Sequence, residues 1–232
     1  MKLRNTYGKA LLHLVYPPQC AGCKDILYFQ EHFICSSCLY HLPFTEDHYC
    51  LENESYKQLR GKLDIQRVVS MWYFRPATRV SRIIHHIKYA NKPHLATYVG
   101  RLYAQELRAS GVFEDVDLLI PLPLHPWRKL KRGYNQSDYF GRGLSEGLEK
   151  PLMRKILARV KHNPSQTNQD RIDRFDNVQE IFKCRKDIDL NHKHILLLDD
   201  VLTTGATITS AGQAILACFP HCRISVATIA KA

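Results

Sequence analysis

The sequence predicts an α/β protein in which a parallel sheet is flanked by helices and preceded by a small cysteine-rich module. From residue 67 onward, short β-branched and aliphatic runs alternate with segments whose apolar residues recur at helical spacing. That alternation favours parallel strands joined by crossover helices. Before it, four of the eight cysteines lie between residues 20 and 38, in two close pairs.

The paired cysteines predict a metal site. Cys20 and Cys23 form one C-x2-C knuckle, and Cys35 and Cys38 form a second one eleven residues later. Two knuckles can place four thiolates around a tetrahedral ion such as zinc, in a structural site that leaves no ligand position open. We expect aromatic residues to form most of the module's own core. They are Tyr28, Phe29, Phe33, Tyr40, Phe44 and Tyr49.

Composition and charge indicate which classes of protein and of partner are compatible with the sequence. The longest apolar runs are far shorter than the ~20 residues that a membrane-spanning helix needs. The short apolar segment near the N-terminus is followed by Tyr16-Pro17-Pro18 rather than by a small-residue cleavage site. We therefore expect that it is not a signal peptide and that the protein is cytoplasmic. Lys and Arg outnumber Asp and Glu by 33 to 22. This excess suits nucleic acid or phosphorylated small molecules, and equally a merely basic surface.

Residues 41–66 are polar and weakly periodic, and they predict a linker or cap. We therefore divide the chain into a module and linker over residues 1–66 and a main domain over residues 67–232. The strands expected in the main domain lie near residues 68–74, 194–200 and 222–230 and within residues 116–124, where prolines stop the strand. Helices are expected near 78–89, 93–109 and 206–219, and residues 132–148 predict a loop that leads into a helix. Residues 161–177 are strongly polar and predict a long mobile loop.

Functional residues cluster after two predicted strands. Ligands of parallel sheets collect at the carboxyl ends of strands, which brings the loops over residues 121–132 and 199–207 to one site. Asp199 and Asp200, where strand becomes loop, can accept hydrogen bonds from a vicinal diol or hold Mg²⁺ through water.

The "TTGAT" of residues 203–207 then opens a helix and supplies an anion cradle, with Gly205 allowing close approach. A diol clamp beside a phosphate cradle fits ribose 5-phosphate. The alternative is that these are only strand-end and helix-capping residues.

Both motifs resemble those of a known family. "LLLDDVLTTGAT" is similar to the 5-phosphoribosyl 1-pyrophosphate (PRPP) motif of type I phosphoribosyltransferases. "IPLPLHPWRKLKRGYNQS" resembles the pyrophosphate loop of their ComF/GntX branch, a family of competence and DNA-utilisation proteins. The "IKY" of residues 87–89 and the cysteine module are further similarities. Many relatives carry another cysteine pair where this chain has only Cys50, so we expect one zinc ion rather than two.

The resemblance implies a type I phosphoribosyltransferase-like domain that binds PRPP with Mg²⁺. By this resemblance, Asp199 and Asp200 hold the ribose hydroxyls, and the 5-phosphate meets the following turn, formed by Thr203, Thr204, Gly205, Ala206 and Thr207. Pyrophosphate meets the backbone of Leu122, Pro123 and Leu124, with positive charge from Arg132 and Lys88. The mobile catalytic loop contributes Gln166, Arg171, Arg174 and Asn177.

Three functions stay open at this point. The first is pentosyl transfer to an unidentified acceptor, as in nucleobase-salvage or amidophosphoribosyl-type transferases. Such transfer needs no protein nucleophile, because positioning, Mg²⁺ and exclusion of water stabilise an oxocarbenium-like transition state. The second is a non-catalytic, PRPP-responsive factor that binds nucleic acid, and the third is a structural partner in DNA uptake. The family's association with competence points toward single-stranded DNA and the DNA-uptake machinery.

Overall fold

A computed structural model describes residues 16–159, 182–185 and 187–232. The elements follow in chain order: α1 (Ser36–His41), a 3-10 turn (Asp47–Tyr49), α2 (Glu54–Arg60), β1 (Val68–Tyr73), α3 (Arg79–Tyr89), α4 (Pro93–Ala109), β2 (Leu118–Pro121), α5 (Pro126–Arg132), α6 (Gln136–Leu148), β3 (Leu157–Arg159), β4 (Phe182–Cys184), β5 (His194–Leu202), α7 (Ala206–Cys218) and β6 (Arg223–Lys231). Within these ranges, no helix is long and apolar enough to cross a bilayer.

The central sheet is parallel and has the strand order β1-β6-β5-β2. Both of its faces are covered. Leu196 and Leu198 pack toward α3, α4, α6 and the cysteine module, whereas Ile195 and Leu197 pack toward α2 and α7. Alternate residues of β5 face two separate cores. The sequence of this strand is therefore a continuous apolar run, with no alternation of polar and apolar residues. The predicted fold class is confirmed.

Helices α3 and α6 are placed by local signals. Thr78 caps α3 by accepting a hydrogen bond from the Ser81 amide, as expected of an N-cap threonine. Helix α6 crosses α4 so closely that a Cβ on Gly143 would lie 2.1 Å from the Thr97 carbonyl oxygen. This contact fixes α6, and with it the position of its first turn at the edge of the sheet.

The segment over residues 41–66 is a packed cap rather than a free linker. Asp47 forms an ion pair with Lys231 at 2.9 Å, and their side chains are only 3% and 8% exposed. The second carboxylate oxygen of Asp47 accepts hydrogen bonds from the Ser70 amide and the Ser55 hydroxyl. Asn53 caps α2 by accepting from the Tyr56 amide. The cap is therefore joined to the C-terminal end of β6.

The cysteine module packs on α3 and α4. The Arg82 Nε donates to the Gly22 carbonyl, and the rings of Phe33 and Tyr98 lie 5.7 Å apart. The expected aromatic core of the module is wrong for most of its members. Tyr28, Phe29, Tyr40 and Tyr49 are exposed, and cysteine and aliphatic residues fill the interior instead: Cys20, Ala21, Leu27, Ile34, Cys35, Cys38 and Leu42. Among the expected rings, Phe33 packs against this interior.

Strands β3 and β4 form an antiparallel pair that the sequence did not predict. Each has three residues, too few for any periodicity to show. The predicted polar loop over residues 161–177 falls between them and lies outside the described residues.

We predict that Asp47→Ala lowers the free energy of unfolding by about 3 kcal/mol, because it leaves the buried Lys231 ammonium with only the exposed Glu54 carboxylate, 3.7 Å away, as a counter-charge. Glu52→Ala is the matched control. It removes the exposed pair with Arg60 and should change the free energy by less than about 0.5 kcal/mol. Urea unfolding measures both. Equal losses in the two variants would contradict the role assigned to the buried pair.

Candidate functional site

A cleft of ≈ 420 Å³ opens at the carboxyl edge of the sheet, between the ends of β1, β2 and β5 and the face of α3. It brings together most residues that the sequence singled out. Those lining it are Lys88, Leu122, Pro123, Leu124, Arg132, Asp199, Asp200, Thr203 and Thr207. Thr204, Gly205 and Ala206 lie beside it at the start of α7, whereas Gln166, Arg171, Arg174 and Asn177 lie outside the described residues.

The two acidic residues are held inside a strand, not just beyond its end. The sequence placed Asp199 and Asp200 where strand becomes loop, but β5 continues to Leu202 and pairs with β6 through that residue. The longer pairing follows from the length of β6, which ends at Lys231. Both carboxylates still line the cleft, and strand pairing gives them a fixed direction.

The two carboxylates have different environments. Asp200 forms an ion pair with Lys88, 3.1 Å from its Nζ. Asp199 accepts hydrogen bonds from the Asp200 amide at 2.8 Å and the Ser137 hydroxyl at 3.4 Å. Burial and the neighbouring Asp200 charge raise the pKa of Asp199 to about 7, although Lys88 and those hydrogen bonds oppose the shift. Near neutral pH the pair therefore holds less than two full negative charges.

The turn before α7 has the geometry of an anion cradle. Gly205 caps the helix with φ +76, and a Cβ there would lie 2.2 Å from Leu59 of the cap. The first intrahelical hydrogen bond runs from the Thr209 amide to the Gly205 carbonyl. The amides of Thr207 and Ile208 thus have no intrahelical acceptor and are available to a ligand.

The stretch over residues 121–132 contains a helix, whereas the sequence predicted a loop. Pro126 occupies the first turn of α5, and His125 accepts from the Trp127 amide; proline at this position favours helix initiation. The turn before α5 is fixed as well. The Leu122 amide donates to the Leu198 carbonyl, and its own carbonyl accepts from Asn135 Nδ2, both at 2.9 Å.

Arg132 is positioned by an aromatic ring. Its guanidinium carbon lies 5.0 Å from the centre of the Tyr89 ring, and its Nη2 donates to the Tyr89 hydroxyl at 3.3 Å. Tyr89 and Lys88 are neighbours on α3, so this helix positions both basic groups at the cleft.

Several lining residues were missed by sequence reasoning, among them Asn135, Gln136, Ser137 and Arg159. Gln136 is 1% exposed, and its Nε2 has no hydrogen-bond partner within the described ranges. Such a group is costly to bury unless a ligand or water satisfies it. The polar "NQS" run at the start of α6 was the signal that could have indicated these residues. No sequence signal indicated Arg159, because it lies on the short strand β3.

The four paired cysteines form one compact group. Their sulfur atoms all lie within 4.8 Å of one another, and those of Cys23 and Cys35 are 3.6 Å apart. Zinc–sulfur bonds of about 2.3 Å give a similar separation in a tetrahedral site. Burial opposes ionisation of Cys20, but amides of Cys35, Cys23 and Gly22 outweigh it and lower the pKa of this thiol to about 7. Burial raises the pKa values of Cys23 and Cys38 in the metal-free group. The group fits a structural zinc ion.

Comparison with known proteins finds relatives that cover most of the chain. The chain is 28% identical over 208 residues to competence protein F of Haemophilus influenzae, covering 84% of this chain and 89% of that protein. It is 29% identical over 154 residues to the DNA utilization protein YhgH of Salmonella typhimurium, covering 65% and 66%. The chain is therefore similar to competence and DNA utilization proteins, the first of them over most of its length.

Other matches concern parts of the chain. Residues 11–53 match a family model described as a double zinc ribbon domain, which supports a structural zinc ion at the four cysteines. In the part of the chain that the structure describes, this is the one such cluster. A crystal structure of adenine phosphoribosyltransferase aligns with a TM-score of 0.37 and 13% identity, covering 56% of this chain and 67% of the other.

We predict one equivalent of zinc in protein purified without chelators, as measured by elemental analysis. Cys38→Ser should lose the metal and destabilise the module, because the ligand set becomes incomplete. Cys50→Ser, the matched change at an exposed cysteine outside the cluster, should keep it. Less than about half an equivalent in folded wild-type protein would contradict the assignment.

We predict that Gly205→Ala destabilises the protein by about 2 kcal/mol or more, because its φ is positive and a Cβ would contact Leu59. Gly61→Ala makes the same chemical change where φ is negative and nothing lies within 4 Å, so it should be neutral or stabilising by up to about 1 kcal/mol. Thermal unfolding compares the two. Similar effects would show that the turn tolerates a side chain.

Proposed function

We propose that this protein binds PRPP with Mg²⁺ in the cleft and acts in DNA uptake or in the use of imported DNA. The observation that carries the proposal is the joint placement of two carboxylates, an anion-binding turn and a basic loop around one cavity. Each feature alone has a structural explanation. Together they match the diol, 5-phosphate and pyrophosphate of a single ligand.

The ribose end would lie over β5. Ionised carboxylates of Asp199 and Asp200 accept hydrogen bonds only, so they suit two neighbouring hydroxyl donors. Because both side chains project from a paired strand, their separation is set before the ligand arrives. The 5-phosphate would lie at residues 203–207, against free amides and the positive end of the α7 dipole.

The pyrophosphate end would face the Leu122–Leu124 turn. The hydrogen bonds to Leu198 and Asn135 hold this turn in place, so its backbone can contact an anion without reorganising. Arg132, stacked on Tyr89, supplies charge from the same side. Lys88 has a second role beyond the one that the sequence suggested, since its ion pair orients Asp200.

Mg²⁺ would fit the oxygen donors of this site. It is usually held by one or two carboxylates, water and substrate phosphates, and when bound it neutralises charge on a departing pyrophosphate. Asp199 and Asp200 are the carboxylates in reach. The chain's own contribution to transfer would be positioning and exclusion of water.

The connection to DNA comes from the relatives, one named a competence protein and another a DNA utilization protein. Pentosyl transfer is the activity that the cleft supports best, with an acceptor still to be identified. A non-catalytic, PRPP-responsive nucleic-acid-binding factor is the second candidate. It is favoured by the exposed aromatic rings of the cysteine module and by the basic charge of the chain.

We predict that PRPP with Mg²⁺ raises the melting temperature of the wild-type protein, since it binds the native state. Asp199→Asn combined with Asp200→Asn should abolish the shift. Asp187→Asn combined with Asp189→Asn is the matched control, because it removes two exposed carboxylates at the opposite end of β5. The proposal fails if wild type shows no shift, or if the first variant shifts as much as the control.

We predict that Asp199→Asn stabilises the ligand-free protein at pH 8 by about 1–3 kcal/mol, and by less at pH 5. The folded pKa of Asp199 is raised from its ordinary value near 3.8 to about 7, so its ionisation opposes folding. The penalty therefore grows as pH rises between those two values and is complete above the upper one. Chemical unfolding at both pH values measures it; an equal effect at pH 5 and pH 8 would contradict the raised pKa.

A further inference from the structure

We infer that Gln136, in the first turn of α6, recognises the pyrophosphate group of PRPP and makes the cleft selective for a sugar phosphate that carries it. This inference rests on the proposed function and adds to it a residue that determines ligand specificity. Gln136 lines the cleft but is only 1% exposed. Its Nε2 has no hydrogen-bond partner within the described ranges. A buried donor without a partner is costly, so a ligand that satisfies it gains affinity.

The start of α6 offers further donors at the same place. The first intrahelical hydrogen bond runs from the Tyr139 amide to the Asn135 carbonyl, so the three amides that follow Asn135 have no intrahelical acceptor. An N-cap side chain would normally accept from one of them, but the Asn135 side chain makes no such bond. Its Nδ2 donates instead to the Leu122 carbonyl. The positive end of the α6 dipole therefore lies uncapped at the cleft, which favours an anion there.

The neighbours of Gln136 fix which part of the ligand it meets. On one side, Asn135 Nδ2 holds the Leu122 carbonyl at 2.9 Å, in the turn proposed for pyrophosphate. On the other side, the Ser137 hydroxyl donates to Asp199 at 3.4 Å, one of the carboxylates proposed for ribose. Gln136 thus lies between the two halves of the site. In PRPP, ribose C1 and the pyrophosphate oxygens next to it connect these halves, so the Gln136 amide donates to one of those oxygens.

The chemistry of the unpartnered atom agrees with this placement. An amide nitrogen only donates, so its partner must be an acceptor, and pyrophosphate oxygens only accept. A neutral amide also acts differently from the nearby Arg132. The arginine attracts any anion, whereas a buried amide discriminates by whether one acceptor atom is present. A site with such a group rejects an analogue that lacks the acceptor, because binding the analogue leaves the amide unpaired.

The packing of α6 fixes where this donor lies. Helix α6 contacts α4 so closely that a Cβ on Gly100 would lie 2.3 Å from the Phe140 carbonyl oxygen. Toward the sheet, a Cβ on Gly141 would lie 2.8 Å from the Leu198 side chain of β5. The first turn of α6 is therefore held in place before the ligand arrives. Such preorganisation lets a single hydrogen bond contribute to affinity without a cost of ordering.

The test is calorimetric titration with PRPP, inorganic pyrophosphate and ribose 5-phosphate, each with Mg²⁺. Gln136→Met keeps an unbranched side chain but removes the donor. It should weaken binding of PRPP and of pyrophosphate by about 10- to 100-fold, the loss expected for one hydrogen bond to a charged group. Binding of ribose 5-phosphate should weaken by less than about threefold, because its C1 hydroxyl is uncharged. Gln105→Met makes the same change at an exposed position on α4. It is the matched control and should leave all three affinities unchanged.

Gln136→Asn is a second variant, which keeps the amide but withdraws it by one methylene group. It should show the same selective loss, so the test does not depend on whether methionine is tolerated. Zinc content and melting temperature establish which variants are folded. An equal loss for all three ligands would show that Gln136 only shapes the cleft, which overturns the inference. An unchanged affinity for pyrophosphate in a folded variant overturns it as well.

The same titrations separate this inference from the proposed function. PRPP binding that requires Asp199 and Asp200 but not Gln136 would sustain the PRPP site and reject the role of Gln136. Pyrophosphate binding that requires Gln136, in a protein that does not bind PRPP, would sustain the pyrophosphate contact and reject PRPP as the ligand. A wild-type protein that binds none of the three ligands would contradict both.

Discussion

The buried ion pair between Asp47 and Lys231 is the constraint on which the cleft's geometry depends. Lys231 ends β6 and lies in register with Leu202, the last residue of β5, so the pair joins the cap to the sheet where the turn before α7 begins. From there the cap reaches the turn itself. Gln58 donates to the Thr203 carbonyl, and Leu59 packs where a Cβ of residue 205 would otherwise lie. Charge burial is costly unless paired and hydrogen-bonded, and this pair has both kinds of partner.

The same cap also connects the cysteine module to the cleft. Its chain continues directly from the cysteine module, whose contacts with α3 include the hydrogen bond from Arg82 to Gly22. Helix α3 in turn carries Lys88 and Tyr89 into the cleft. Zinc binding would thus stabilise two walls of the site, one through the cap and one through α3. A module built around a metal is a stable way to hold a segment too small to form a large core.

Sequence predicted what is local and missed what depends on distant partners. The strands and the long helices follow from apolar periodicity, and the acidic pair with its following turn could be located from the motif alone. Helix α2 has seven residues, with only Ser55 and Leu59 buried, so its formation depends on packing against the sheet. The role of Gln136 depends on where α4 places α6, which no local pattern reveals.

The exposed aromatic rings of the cysteine module are a second feature that the sequence did not predict. Aromatic composition suggested a core, but sulfur atoms within 4.8 Å of one another leave only a small interior. Phe29, 100% exposed, lies outside it. Composition alone therefore did not identify the buried residues, which are cysteines and aliphatic residues.

The most direct test of the PRPP site is a crystal structure of the protein with PRPP and Mg²⁺. The ribose hydroxyls should lie within hydrogen-bond distance of Asp199 and Asp200, with the 5-phosphate on the amides of residues 203–207 and the pyrophosphate against the Leu122–Leu124 turn. Ligand density in any other orientation, or an empty cleft at saturating PRPP, would contradict the assignment of this edge of the sheet as a ribose-phosphate site.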